Sequence, residues 1–283
     1  MIIPAPSTDV VRLPTRDPEC RRAERVMGTV ASLVVPEGGA SSPAVDRAFE
    51  WLHEVDRRFS PFRAESEVSR LMRDEIDPVS TSADLAEVLE ICEVTERLSD
   101  GVFDIRRHRA DGAPDPTGVV KGWAVDRAAT ILLDGGIERF CIGVGGDVVV
   151  SGGRTPVHPW RIGVVDPVDR AMVVMTLEAF DLAVATSGRS ERGQHIVDAH
   201  TGRSPDDLWT LTVVGPMLGH ADAYATAAFA MGRPGLRWCA SLPGYAAGAV
   251  TADGRLLLTE GMDRYVRADH GGPGTATGRT SLA

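Results

Sequence analysis

The sequence predicts an α+β domain, with helices gathered in its first half and strands in its second. Three observations carry this reading. Apolar residues recur at helical spacing between residues 44 and 133. After residue 140 the apolar runs shorten to strand length, with Gly and Pro between them. Nothing in the order resembles a regular βαβ alternation, which favours helices packed on antiparallel sheets. A chain of 283 residues suits one large domain and can bury a substantial core. We expect a mobile arm over residues 1–25, the domain over 26–266, and a disordered tail over 267–283, where Gly, Thr and Ser leave little to bury.

Each element follows from its pattern. Residues 26–35, VMGTVASLVV, read as a first strand. From Ala44 to Phe59 the apolar set Ala44, Val45, Ala48, Phe49, Leu52, Val55 and Phe59 makes one helical stripe. Residues 81–98 form a second helix, with Thr81 or Ser82 as its cap and Leu85, Val88, Leu89, Cys92 and Leu98 as its apolar face. Residues 121–133 form a third, ended by Gly135-Gly136. Strands are then expected over 140–150, 160–165, 172–179, 182–186 and 209–214. A short Ala-rich helix over 221–231 and a closing hairpin over 248–258 complete the order.

Composition narrows the function. A formal net charge of −10 argues against a global nucleic-acid footprint, while leaving room for an anionic ligand in a local positive pocket. No apolar run approaches the roughly 20 residues of a membrane span. Residues 1–25 lack a basic stretch followed by an apolar one, so they do not read as a signal peptide. The four cysteines, Cys20, Cys92, Cys141 and Cys239, are far apart and form no CxxC pair, which makes the cytoplasm the expected compartment.

Of the 30 lysine and arginine residues only Lys121 is a lysine. That points to a place where a compact ammonium fits and a planar guanidinium does not, or to a surface lysine kept by chance. Around it, Asp115, Gly118 and Lys121 stand at three-residue steps leading into a helix, an arrangement that can present backbone groups and one cation to a phosphate. Asp222 and Thr226 lie four residues apart on the Ala-rich helix and share a face. Together they can offer hard oxygen ligands to Mg2+; alternatively Asp222 favours the helix start and Thr226 bonds back to a carbonyl. His195, in Gln194-His195-Ile196-Val197-Asp198, is a candidate general base or an ordinary surface or core histidine. Gly143-Val144-Gly145-Gly146-Asp147 either admits a ligand to the backbone or makes a tight turn. It is no dinucleotide fingerprint, because a strand rather than a helix follows. Phe62 stacks on a planar ligand or packs in the core.

Taken together these segments resemble the ApbE family of flavin transferases, which move FMN from FAD onto a threonine of a partner protein. The resemblance runs in order from Met27-Gly28-Thr29 through Phe59-Ser60-Pro61-Phe62, Ser66-Glu67-Val68-Ser69-Arg70-Leu71 and Gly101-Val102-Phe103-Asp104. It continues through Asp115-x-x-Gly118-x-x-Lys121-Gly122, Gly145-Gly146-Asp147, Thr186-Ser187-Gly188, His195-Ile196-Val197-Asp198 and Ala221-Asp222-Ala223-x-Ala225-Thr226. No single block is specific; the ordered run is. The resemblance implies a single T-fold-like domain with FAD in a cleft. Met27, Phe62, Val102, Phe103, Asp104, Asp115, Lys121 and Ile196 would line the dinucleotide, and His195 would be the base. Asp222, Thr226 and the carbonyl of Gly118 would hold Mg2+. The implied partner is an acceptor flavoprotein with an exposed threonine. A metal-dependent FAD pyrophosphatase and a non-catalytic FAD-binding protein are the alternatives. The chain departs from the family pattern at Met72 and just before Gly145, where relatives carry asparagine, and at Ala199, where they carry proline.

Overall fold

A computed structural model of the chain describes residues 19–37, 42–107, 111–189, 196–267 and 279–282. Its frame is a nine-stranded sheet in the order β1-β2-β3-β4-β7-β8-β9-β10-β11. The strands are β1 Cys20–Val26, β2 Thr29–Val35, β3 Phe140–Val144, β4 Asp147–Ser151, β7 Leu182–Gly188, β8 Leu208–Gly215, β9 Ala246–Thr251, β10 Leu256–Thr259 and β11 Arg279–Leu282. Every pairing is antiparallel except that of β10 with β11. A separate two-stranded ribbon joins β5 Trp160–Val165 to β6 Val173–Ala179.

Alternation along the strands separates two cores. On β7, Ala183 and Ala185 face the helices, while Leu182 and Val184 face the ribbon. On β10, Leu257 takes the helix side and Leu256 and Leu258 the ribbon side. Two-residue periodicity in a sheet covered on both faces produces this division. The order is therefore helices, sheet, ribbon. The larger core lies between sheet and helices, with Phe49, Phe59, Phe140 and Phe229 all fully buried in it.

The helices follow the expected pattern with shifted ends. α1 Pro43–Phe59 starts at a Ser42 cap, and its whole expected apolar stripe is buried. Next come α2 Glu67–Met72, a 3-10 turn at Pro78–Ser80, and α3 Ala83–Leu98, capped by Ser82. α4 Thr117–Asp134 begins four residues before the expected start at Lys121. The side chain of Asp115 accounts for this, accepting from the Thr117 N–H at 3.0 Å and hydroxyl at 2.6 Å. α5 Leu218–Ala230 is the Ala-rich helix; α6 Pro234–Ala240 and α7 Glu260–Asp263 follow.

Four expectations are corrected. The single strand over 26–35 is instead the end of β1, a two-residue turn and β2, since Met27 and Gly28 both have positive φ, 52° and 71°, and Val26 pairs with Thr29. β1 starts inside the stretch read as an arm. Its CRRAERV sequence alternates half-buried and exposed residues, and its charges hide a strand period. At the other end, Arg279–Leu282 within the expected tail pair in parallel with β10. The run over 140–150 is a hairpin, with Gly145 and Gly146 at φ 66° and 102° making the tight turn.

α4 and α5 are held in fixed register. A Cβ on Gly122 would lie 2.7 Å from the Leu218 carbonyl oxygen and 2.9 Å from the Gly219 Cα, so the two backbones touch there. One turn along α4, Asp126 accepts from the backbone N–H groups of Leu218 and Gly219, both at 2.8 Å. Asp126 thereby caps the start of α5 from a neighbouring helix.

Candidate active site

A cavity of about 560 Å³ opens where α4, α5, the β3–β4 hairpin and the end of β7 converge. It takes residues from at least six separate stretches of chain. Met27 comes from the β1–β2 turn, Phe59 to Phe62 from the end of α1, and Phe103 and Ile105 from the loop after α3. Asp115, Thr117, Gly118 and Lys121 come from the start of α4, Asp147, Thr186, Ser187 and Gly188 from the sheet, and Asp222 and Thr226 from α5.

Its electrostatic centre is Lys121. The ammonium donates to Asp147 Oδ2 at 2.8 Å and to Asp222 Oδ2 at 3.3 Å. Burial alone would lower its pKa; the charges of Asp222 and Asp147 outweigh that and hold it well above the ordinary lysine range. Both carboxylates are buried, at 5% and 6% exposure, so this charge balance operates largely out of water. Asp147 also accepts from the Thr186 N–H at 3.0 Å. Beside this group, Ser187 Oγ and Thr226 Oγ1 lie 3.2 Å apart.

The rim is built differently. Phe59 is buried at 2% exposure, but Phe62, three residues on, is 95% exposed at the mouth. That removes core packing as the fate of Phe62. Its loop is pinned from below, where Ser66 Oγ donates to the Ser60 carbonyl at 2.6 Å and accepts from the Ser69 N–H at 3.0 Å. Arg58 ties the same corner together by bonds to Glu67, Ser82 and Asp84. A rigid base thus carries one exposed ring.

Most of the expected site residues meet here: Met27, Phe62, Phe103, Asp115, Gly118, Lys121, Ile196, Asp222 and Thr226 all line the cavity. Val102 and Asp104 do not. They alternate with the lining residues Phe103 and Ile105, and both are otherwise engaged. The Val102 carbonyl accepts from the Ala199 N–H, and its side chain packs on the core. Asp104 accepts from the Arg106 N–H at 2.7 Å and pairs with Arg107 at 3.2 Å. His195 lies outside the described residues. Asp147, Thr186 and Ser187 fall within blocks of the family resemblance, but sequence reasoning gave none of them a role at the site. The signal for Asp147 was its position directly after a Gly-Gly hairpin, which puts the first residue of β4 beside α4.

The oxygen donors at the cavity floor are carboxylates, hydroxyls and a carbonyl, the hard ligands that suit Mg2+. No group of three or more His, Cys, Asp or Glu forms a metal cluster among the described residues, so a cation here would depend on Thr226 and Gly118 as well as Asp222. Gly118 lines the cavity, and a Cβ on it would meet nothing within 4 Å. Two carboxylates against one ammonium leave the floor one negative charge in excess. The donor set therefore fits the ion.

The family model described as ApbE family matches residues 27–111 and 105–248. The chain belongs to the ApbE family. Among curated relatives, the FAD:protein FMN transferase of Vibrio cholerae is 34% identical over 128 residues, covering 42% of this chain and 38% of the relative. That of Chlamydia pneumoniae is 26% identical over 263 residues, covering 71% of this chain and 79% of the relative. The matched segment thus spans under two fifths of the Vibrio cholerae relative's length. Among solved structures, the ApbE protein from Thermotoga maritima superposes with a TM-score of 0.77 at 22% identity, over 88% of this chain and 99% of that one. The flavin transferase ApbE from Vibrio cholerae gives 0.75 at 22%, over 87% and 99%. These likenesses establish the ApbE fold as a single α+β domain. No helix among the described residues is long and apolar enough to cross a membrane.

Proposed function

We propose that this ApbE family member transfers FMN from FAD to a threonine hydroxyl of an acceptor flavoprotein and releases AMP. The observation that supports this most is the convergence of Lys121, Asp222, Thr226 and Gly118 at the floor of a cavity whose mouth carries the exposed ring of Phe62. A flavin dinucleotide has the matching parts: a planar ring system to stack and a pyrophosphate to neutralise. The relatives named FAD:protein FMN transferase support the same reading.

In this proposal Phe62 and Met27 hold the isoalloxazine at the mouth, and Asp115 and Phe103 line the rest of the dinucleotide. The Gly118 carbonyl, Asp222 and Thr226 would hold Mg2+, which supplies positive charge for the pyrophosphate oxygens. Lys121 reaches the same oxygens from the start of α4 as a compact cation. His195 takes the proton from the acceptor threonine, whose oxygen bonds to the FMN-side phosphorus as the bond to AMP breaks. Four free cysteines suit a reducing cytoplasm.

The test is mass spectrometry of a threonine-bearing acceptor domain incubated with the protein, FAD and Mg2+. One FMN on the threonine, lost when that threonine is changed to valine, is the expected result. Free FMN with an unmodified acceptor would instead assign a pyrophosphatase.

A further inference from the structure

We propose that Lys121 is a tethered counter-cation which shares Asp222 with the divalent metal in turn. Without metal its ammonium bridges Asp147 and Asp222; when a cation binds Asp222, the ammonium keeps Asp147 and leaves Asp222. The inference rests on the proposed metal site at Asp222 and Thr226.

Three geometric facts carry it. The two contacts are unequal, 2.8 Å to Asp147 against 3.3 Å to Asp222, so the Asp222 bond is the longer and weaker. Asp147 is fixed on its other oxygen by the Thr186 N–H at 3.0 Å, which makes it an anchor belonging to the sheet. Asp222 stands on a different element, α5, beside the hydroxyls of Thr226 and Ser187, which a cation can recruit and an ammonium does not touch at the distances seen. A buried carboxylate left without a cation is costly. Lys121 supplies that cation until metal binds Asp222, and is then free to meet a phosphate oxygen. Asp147 is on this view a positioning residue: it keeps the lysine at the floor of the cavity in both states.

The chain's single lysine makes the test direct. Full-length protein grown with 15N-lysine carries one labelled side-chain ammonium, and Mg2+ is titrated in without FAD while calorimetry follows binding. The expected result is a saturable shift of that one resonance, with the midpoint of the calorimetric curve, and no shift in Asp222→Ala. In parallel, Lys121→Met should bind Mg2+ at least tenfold more tightly than the wild type, because its competitor is gone, and Asp147→Asn more weakly, because Lys121 then pairs with Asp222 alone. Heat of binding that disappears in Asp222→Ala, with an unmoved lysine resonance, overturns the counter-cation and leaves the metal site standing. Binding that persists undiminished in Asp222→Ala, or no binding at all, overturns the metal site itself. Equal or weaker affinity in Lys121→Met also overturns the counter-cation, and the labelled wild type gives an independent answer if that variant does not fold.

Discussion

Lys121 occupies a space defined by two buried carboxylates on two different elements, and that explains why arginine does not stand there. A guanidinium is wider and planar, and it does not offer the two oxygens the same compact charge. Lys121→Arg should therefore lower the rate of AMP release by roughly 10²-fold although the charge is kept, since small misplacements at a reacting phosphate have costs of that order. A wild-type rate would show that only charge matters at this position. Asp222→Ala should abolish Mg2+-dependent release while FAD still binds, measured by flavin fluorescence beside AMP chromatography. His195→Ala should leave FAD affinity intact and slow transfer by about 10² to 10⁴, the range expected for loss of a general base; an unchanged rate would remove it from that role.

At the scale of elements the site depends on how α4 meets α5. Their contact at Gly122 is backbone against backbone, so Gly122→Ala must separate the helices. We expect a loss of about 1–3 kcal/mol in urea unfolding, the usual cost of overpacking, together with weaker Mg2+ binding because Asp222 moves with α5. Asp126 couples the same pair. Burial raises its pKa to about 6 against the two backbone N–H donors that lower it. The folded state therefore holds this proton more tightly than the unfolded chain does. Stability from this group is present at about pH 4 and declines as pH rises towards 6. Urea midpoints of the wild type minus those of Asp126→Asn should fall across that window; a constant difference would mean that the two donors dominate.

The elements also show what the chain reveals in advance. α1 and β5 stood within a residue of their expected bounds, because a continuous apolar stripe and a short bounded strand are local signals. β1 was hidden by its alternating charges, α2 by its six-residue length, and β11 by a four-residue RTSL sequence too short to show a period. Asp222 and Thr226 could be paired from helical spacing alone. Asp147 could not be joined to them, since Lys121 links it to Asp222 across 26 and 101 residues of chain, and only once the β3–β4 hairpin lies under α4. Alternation likewise decided which of residues 102–105 reach the cavity, and this loop carries no period to announce it.

At the scale of the whole molecule, a broad sheet covered on one face by helices and on the other by a ribbon brings separate chain segments to one cavity. The fold supplies a rigid floor of charge and a mouth with one exposed ring. Transfer and hydrolysis share that floor and differ only in whether an acceptor hydroxyl or water reaches the phosphorus. The measurement that tests the central claim most directly is chromatography for AMP and FMN after incubation with FAD and Mg2+, with and without a threonine-bearing acceptor domain. The account predicts AMP release that depends on the acceptor, with the flavin appearing covalently on it. Intact FAD in both samples, or equal amounts of AMP and free FMN in both, would contradict it.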